Sequence, residues 1–89
     1  MIIVEIDKYN RIRINWRTKT LKKQCFNNHL ENEQIRCLER YEKDRNFKHL
    51  GDFLNYPNKY KYSFLVIAEL MWAFNFHNTR KIKIKRSDI

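Results

Sequence analysis

The stretch Ile2-Ile3-Val4-Glu5-Ile6-Asp7-Lys8-Tyr9-Asn10-Arg11-Ile12-Arg13-Ile14-Asn15-Trp16-Arg17 decides the fold. Apolar and polar residues alternate on both sides of Lys8-Tyr9-Asn10, the period-two signature of strands with one buried face. A three-residue loop with Asn10 in the left-handed region closes a β-hairpin over residues 2–17. One face then pairs Ile6 with Ile12, Val4 with Ile14 and Ile2 with Trp16. The other pairs Asp7 with Arg11, Glu5 with Arg13 and Ile3 with Asn15, giving two opposite-charge cross-strand pairs of about 0.2–1 kcal/mol each. A two-residue loop at Tyr9-Asn10 would set Asp7 against Ile12 and destroy both patterns.

The far end of the chain repeats the alternation. In Arg80-Lys81-Ile82-Lys83-Ile84-Lys85 the isoleucines share one face and the lysines the other, so residues 80–86 read as a third strand. Beside the second hairpin strand these lysines would crowd Arg11 and Arg13; beside the first they meet Glu5 and Asp7. Repulsion between directly opposed like charges favours the order 2-1-3, in an antiparallel or mixed sheet.

Between the strands the period becomes helical. Residues 20–56 read as amphipathic helix, entered through a short capped turn at Thr18 or Thr20 that runs to Phe26 and stops at Asn27-Asn28. Asn28 and Glu31 have the spacing of a capping box for a second helix. On that helix Leu30, Ile35, Cys37, Leu38 and Tyr41 share a side, with Glu39–Lys43 and Arg40–Asp44 as i,i+4 pairs opposite. Phe47, Leu50, Phe53 and Leu54 continue at helical spacing, interrupted by Gly51, and Tyr56-Pro57-Asn58 is a break. Residues 60–76 form a helix that is apolar almost all round, so several of its sides need cover. The expected architecture is α+β: a hairpin and a C-terminal strand in a three-stranded sheet, packed on one face by three helices, in one domain spanning 1–89.

An 89-residue chain buries a modest core. Hydrophobic residues at 43%, with one Gly and one Pro, exclude disordered and collagen-like classes. The formal charge is +9. Asn, Ile, Lys, Tyr and Phe supply 42 of the 89 residues, a bias expected of A+T-rich coding that inflates Lys. Yet the charge is not spread evenly. Residues 1–23 hold seven basic and two acidic side chains, 24–55 five and six, and 56–89 seven and two. Two basic ends around a neutral middle need a further cause, and nucleic acid or an acidic protein surface supplies one. Arg11, Arg13, Arg17, Lys81, Lys83 and Lys85, with Arg80 and Arg86 at the strand ends, form the expected binding face, and Tyr9 at the hairpin tip is the one candidate for stacking on a base.

Catalytic and metal-binding patterns are thin. Arg45, His49 and Asp52 could line one helical stripe and support acid–base cleavage of a phosphodiester, as in a small ribonuclease toxin. Spacing alone favours the plainer reading of a charged helix surface and no enzyme. Cys25, His29, Cys37 and His49 match no usual zinc spacing, and no metal or other cofactor is expected. Two cysteines make no disulfide framework. The first residues show no signal peptide, and the longest apolar run, 64–74, falls short of a bilayer span, so a cytoplasmic, reducing location without membrane contact is expected. A helix-turn-helix with 60–76 as recognition helix fails, because Phe64, Leu65, Val66 and Ile67 cannot face a major groove.

The function these features favour is a small basic protein engaging nucleic acid or a nucleoprotein complex. The alternative is an inhibitor or adaptor, such as a phage or mobile element would use in counter-defence, docking an acidic protein groove. The uniformly apolar 60–76 helix further suggests a homodimer, with Leu70, Trp72 and Phe76 as contacts.

Overall fold

The hairpin forms in the expected register. β1 (Ile2–Ile6) and β2 (Arg11–Asn15) are antiparallel, with Ile6 opposite Ile12, Val4 opposite Ile14 and Ile3 opposite Asn15. These details come from a computed structural model that describes residues 1–15, 24–57 and 63–86, and for 24–28 the backbone alone. The expected Ile2–Trp16 pair lies outside the described residues, as does the proposed turn at Thr18 or Thr20. Asn10 turns the corner at φ 61°. Asp7 holds the loop, its carboxylate accepting the backbone N–H groups of Tyr9 and Arg11, each at 2.9 Å. This is the Asx-type bonding that makes Asp a turn residue.

The C-terminal strand, β4 (Ile82–Arg86), lies parallel to β1, with Ile2 beside Ile82 and Glu5 beside Lys85. The order 2-1-3 is therefore kept, in a mixed sheet. A fourth strand extends it: β3 (Gln24–His29) runs antiparallel to β2, and the full order is β3-β2-β1-β4. Helix was expected over these residues. Cys25, Phe26, Asn27, Asn28 and His29 are all weak helix formers, and β2 has an open edge of unpaired backbone groups that a strand satisfies and a helix does not.

Because Asn28 belongs to β3, it cannot cap the next helix. In α1 (Asn32–Asp44) the cap is Glu31, in a reciprocal box with Gln34, whose side-chain oxygen accepts the Glu31 backbone N–H at 3.0 Å. Gln34 is fully buried, and its amide nitrogen also donates to the Phe53 carbonyl. One polar side chain thus starts α1 and fastens it to α2 (Lys48–Asn55). The second helix, expected to continue its spacing through Phe47 to Leu54, is divided at Arg45, which closes α1 in the left-handed region at φ 58°. The expected i,i+4 pairs on α1 give way to other connections: Glu33 takes Arg36 and Arg40, Glu39 takes Arg86, and Asp44 takes His49. α2 passes through Gly51 without a break, and α3 (Ser63–His77) ends at Asn78, φ 49°.

One core joins the layers. Ile2, Val4, Ile6, Ile12, Ile14 and Ile82 point from the sheet toward Ile35, Leu38 and Tyr41 of α1, Leu50 and Phe53 of α2, and Val66, Leu70, Ala73 and Phe74 of α3. Tyr41 is the junction. Its ring lies 5.8 Å from both Phe47 and Phe74, and its hydroxyl donates to the Arg80 carbonyl at 3.0 Å, just ahead of β4.

The outer edge of β4 is closed from α1: the Glu42 carboxylate accepts the Ile84 backbone N–H, and Glu39 holds Arg86 at 2.8 Å. Replacing Glu42 with Ala leaves that half-buried N–H unpaired, and should lower stability by about 1–3 kcal/mol in urea denaturation. At Gly51 an added Cβ meets nothing within 4 Å, and φ is not positive. Gly51→Ala should therefore raise stability by about 0.5–1 kcal/mol, read as an upward shift of the urea midpoint.

Candidate functional site

All three helices join the same buried cluster as the inward isoleucines, so the opposite face of the sheet is built from the alternate residues of each strand. On β1 and β2 these are Ile3, Glu5, Arg11, Arg13 and Asn15; on and just before β4 they are Lys81, Lys83 and Lys85. The three lysines are exposed and follow one another at every second residue, about 6–7 Å apart along the strand. Arg11 and Arg13 add their charge two strands away.

The two halves of this face differ in how their charge is spent. Arg11 lies 3.6 Å from the Asp7 carboxylate, and Arg13 lies 3.8 Å from Glu5. Glu5 also accepts from the Asn15 side chain at 3.2 Å. Its carboxylate is therefore turned toward β2, although its backbone neighbour on the other side is Lys85. Among the described residues, no acidic group lies within ion-pair distance of Lys81, Lys83 or Lys85.

Three other expected members of the face are placed differently. Arg86 has the inward parity of Ile82 and Ile84 and reaches Glu39 of α1, so it is paired and belongs to the helix side. Arg80 lies over the Phe47 ring at 4.8 Å, held there by the helices. Arg17 lies outside the described residues. Tyr9 is at the tip and 54% exposed, with the Lys8 ammonium 5.1 Å and the Arg11 guanidinium 5.2 Å from its ring centre. Lys8 joins this tip from the loop, outside the strand alternation that marks the other cations in the sequence. His29 braces the tip, its Nδ1 donating to the Tyr9 carbonyl at 3.0 Å.

The stripe of Arg45, His49 and Asp52 does not form. Arg45 ends α1, ahead of α2, so the three do not share one helix. His49 donates from Nε2 to Asp44 at 2.8 Å, while its Nδ1 is buried with no hydrogen-bond partner among the described residues. The ring therefore presents no second nitrogen to a substrate. Asp52 lies near Cys37. Burial pushes that thiol's pKa up, Arg40 opposes the shift, and Glu33 and Asp52 add to it. Cys37 is a buried free thiol; the side chain of Cys25 lies outside the described residues. Among the described residues no three His, Cys, Asp or Glu side chains are grouped to hold a metal ion, and no helix is long and apolar enough to cross a membrane.

Leu70, an expected dimer contact, is fully buried in the core and faces away from any partner. Trp72 and Phe76 stand on the other side of α3, about half exposed, with their tilted rings in contact at 5.8 Å between centres. No family model, curated protein or solved structure matches the chain.

The α1–α2 corner sets an acid response. The Asn46 backbone N–H, and then the His49 ring, hold Asp44 below the usual aspartate range; Arg36 and Arg40 do the same for Glu33. A carboxylate depressed in the folded state contributes stability above its unfolded pKa and loses it as pH falls through the folded value. The urea midpoint should stay level down to about pH 5 and fall below about pH 4, and Asp44→Asn should flatten that decline.

Proposed function

We propose that the protein binds nucleic acid, alone or within a nucleoprotein complex, by laying its outer sheet face against the phosphate backbone. Lys81, Lys83 and Lys85 supply the main contacts, with Arg11, Arg13 and the Lys8–Tyr9 tip beside them. The observation that carries this reading is the division of labour at β4. Lysines on an edge strand ordinarily serve to block sheet-to-sheet pairing. Here Glu42 of α1 already takes the Ile84 backbone N–H on that edge, and Glu39 holds the Arg86 side chain at its end. The three lysines point away from it, and none is in an ion pair with a described residue. A row of such cations is a costly arrangement to keep compact unless an anion covers it, and phosphates release bound counterions when they do so. The cytoplasm is the compartment that suits this role, and the buried thiol of Cys37 is compatible with it.

The contacts expected are to phosphates and not to base edges. The one amide on the described face, Asn15, already donates to Glu5, and the lysines are flexible point charges suited to phosphate, so affinity should vary little with sequence. Tyr9 gives one stacking position, which favours a single-stranded segment at the tip.

Titrating RNA and DNA, single-stranded and duplex, between 50 and 200 mM salt tests the reading. Affinity should fall steeply with salt, and replacing Lys81, Lys83 and Lys85 together with Gln should lower the log–log slope by about three units. That triple variant should fold normally, since exposed lysines add little to stability. Arg13→Gln should do the converse, costing about 0.2–1 kcal/mol of stability and less affinity. Absence of binding at 50 mM salt, with a stable complex to an acidic protein instead, would replace this reading with that of an inhibitor or adaptor.

A further inference from the structure

We infer that a second copy of this chain covers the outer side of α3, in an antiparallel two-fold contact centred between Ala68 and Trp72. The helix has two apolar sides. Val66, Leu70, Ala73 and Phe74 enter the core, whereas Phe64, Leu65, Ala68, Met71, Trp72 and Phe76 form a second stripe on the solvent side. The large members of this stripe are 39–55% exposed, even with the Trp72 and Phe76 rings in contact.

Area favours a partner of the same kind. Side chains of this size carry about 150–250 Å² each, so the exposed portions sum to roughly 500 Å² of apolar surface. That is at the upper end of the largest apolar patch on an ordinary monomer. Two such stripes face to face bury roughly 1,000 Å², the least area expected of a specific interface and enough only where the two surfaces fit well.

Charge and shape select the second copy over a foreign partner. The protein carries +9, and the outer side of α3 offers no basic side chain among its described residues, only the exposed amide of Asn75 within the stripe and Glu69 at its flank. It is therefore a surface on which two such chains can meet without opposing their basic faces. An anionic partner would be drawn to the sheet instead. The stripe is also complementary to itself. Ala68 is its smallest side chain, so a hollow is expected near its middle, and Trp72, its largest, stands one turn away. In an antiparallel crossing about the midpoint, Trp72 of each copy fills the hollow over Ala68 of the other, while Phe64 meets Phe76. This is the reciprocal i-to-j, j-to-i contact that two-fold symmetry requires. The core side of α3 faces the sheet, so the two outer sheet faces would point away from each other and remain open.

Analytical ultracentrifugation of the full chain tests this. The expected result is a dimer mass at tens of micromolar, with a dissociation constant that does not rise between 50 and 500 mM salt. Ala68→Glu should weaken the dimer more than a hundredfold while the circular dichroism spectrum is unchanged, and Trp72→Lys should do the same. Mixed together, the two variants should form a heterodimer, because one contact becomes Glu–Lys and the other is native. If Ala68→Glu unfolds the chain, Phe64→Lys at the helix end gives the same reading. A monomer mass for the parent chain at 100 micromolar overturns the inference, as does a dimer that survives these substitutions. Two monomeric variants that fail to rescue each other overturn the antiparallel register.

Discussion

The parallel pairing of β1 with β4 is the constraint on which the rest of the molecule depends. Two parallel neighbours cannot be joined by a tight turn, so the chain between them must travel the length of the sheet. β2 runs opposite to β1, and β3 opposite to β2, so β3 and β4 point the same way on opposite edges. Three helices carry the chain from one edge to the other, and all of them feed the same buried cluster as the inward isoleucines. Crowding every helix onto one face leaves the other face to the alternate residues of the strands. The basic surface follows from connectivity as much as from composition.

Carboxylates are distributed with the same economy. The acidic middle of the chain is consumed by local work: Glu31 caps α1, Glu33 holds two arginines, Glu39 holds Arg86, Glu42 closes the β4 edge and Asp44 steadies His49. On the sheet, Asp7 and Glu5 turn toward Arg11 and Arg13. Each commitment removes a negative charge that might otherwise neutralise β4. Net charge alone would have been a weak argument, since a biased codon composition can raise it. The position of the compensating carboxylates is what gives the charge meaning.

α3 follows a different logic. A helix in a two-layer fold of this size needs one apolar side, and α3 has two. Its inner side is bound to the sheet and to α2, and Tyr41 locks its end through Phe74. The outer side adds nothing to the core, and an exposed Trp and two exposed Phe residues carry a solubility cost. A chain that keeps such a helix away from its basic face has separated two surfaces of opposite character.

The sequence by itself determined the hairpin, its register and the side of each residue, because side chains alternate strictly along a strand and a one-residue slip would have buried Asp7 or Arg13. It likewise determined that β4 lies beside β1, through the repulsion its lysines would meet elsewhere, and that Tyr41, Leu38 and Phe53 are core. Local pattern failed at residues 24–29, where a short polar segment has no strong period and its conformation is decided by the open edge of β2. It failed again at Leu70 and Arg86. A uniformly apolar helix contains no signal of which side turns inward, and a residue at the end of a strand can serve either face. Only the tertiary structure decided that Glu42 and Glu39 would close the β4 edge, because those contacts join residues some forty positions apart. No periodicity within a segment can encode a partner at that distance; it exists only once the crossover has brought α1 alongside β4.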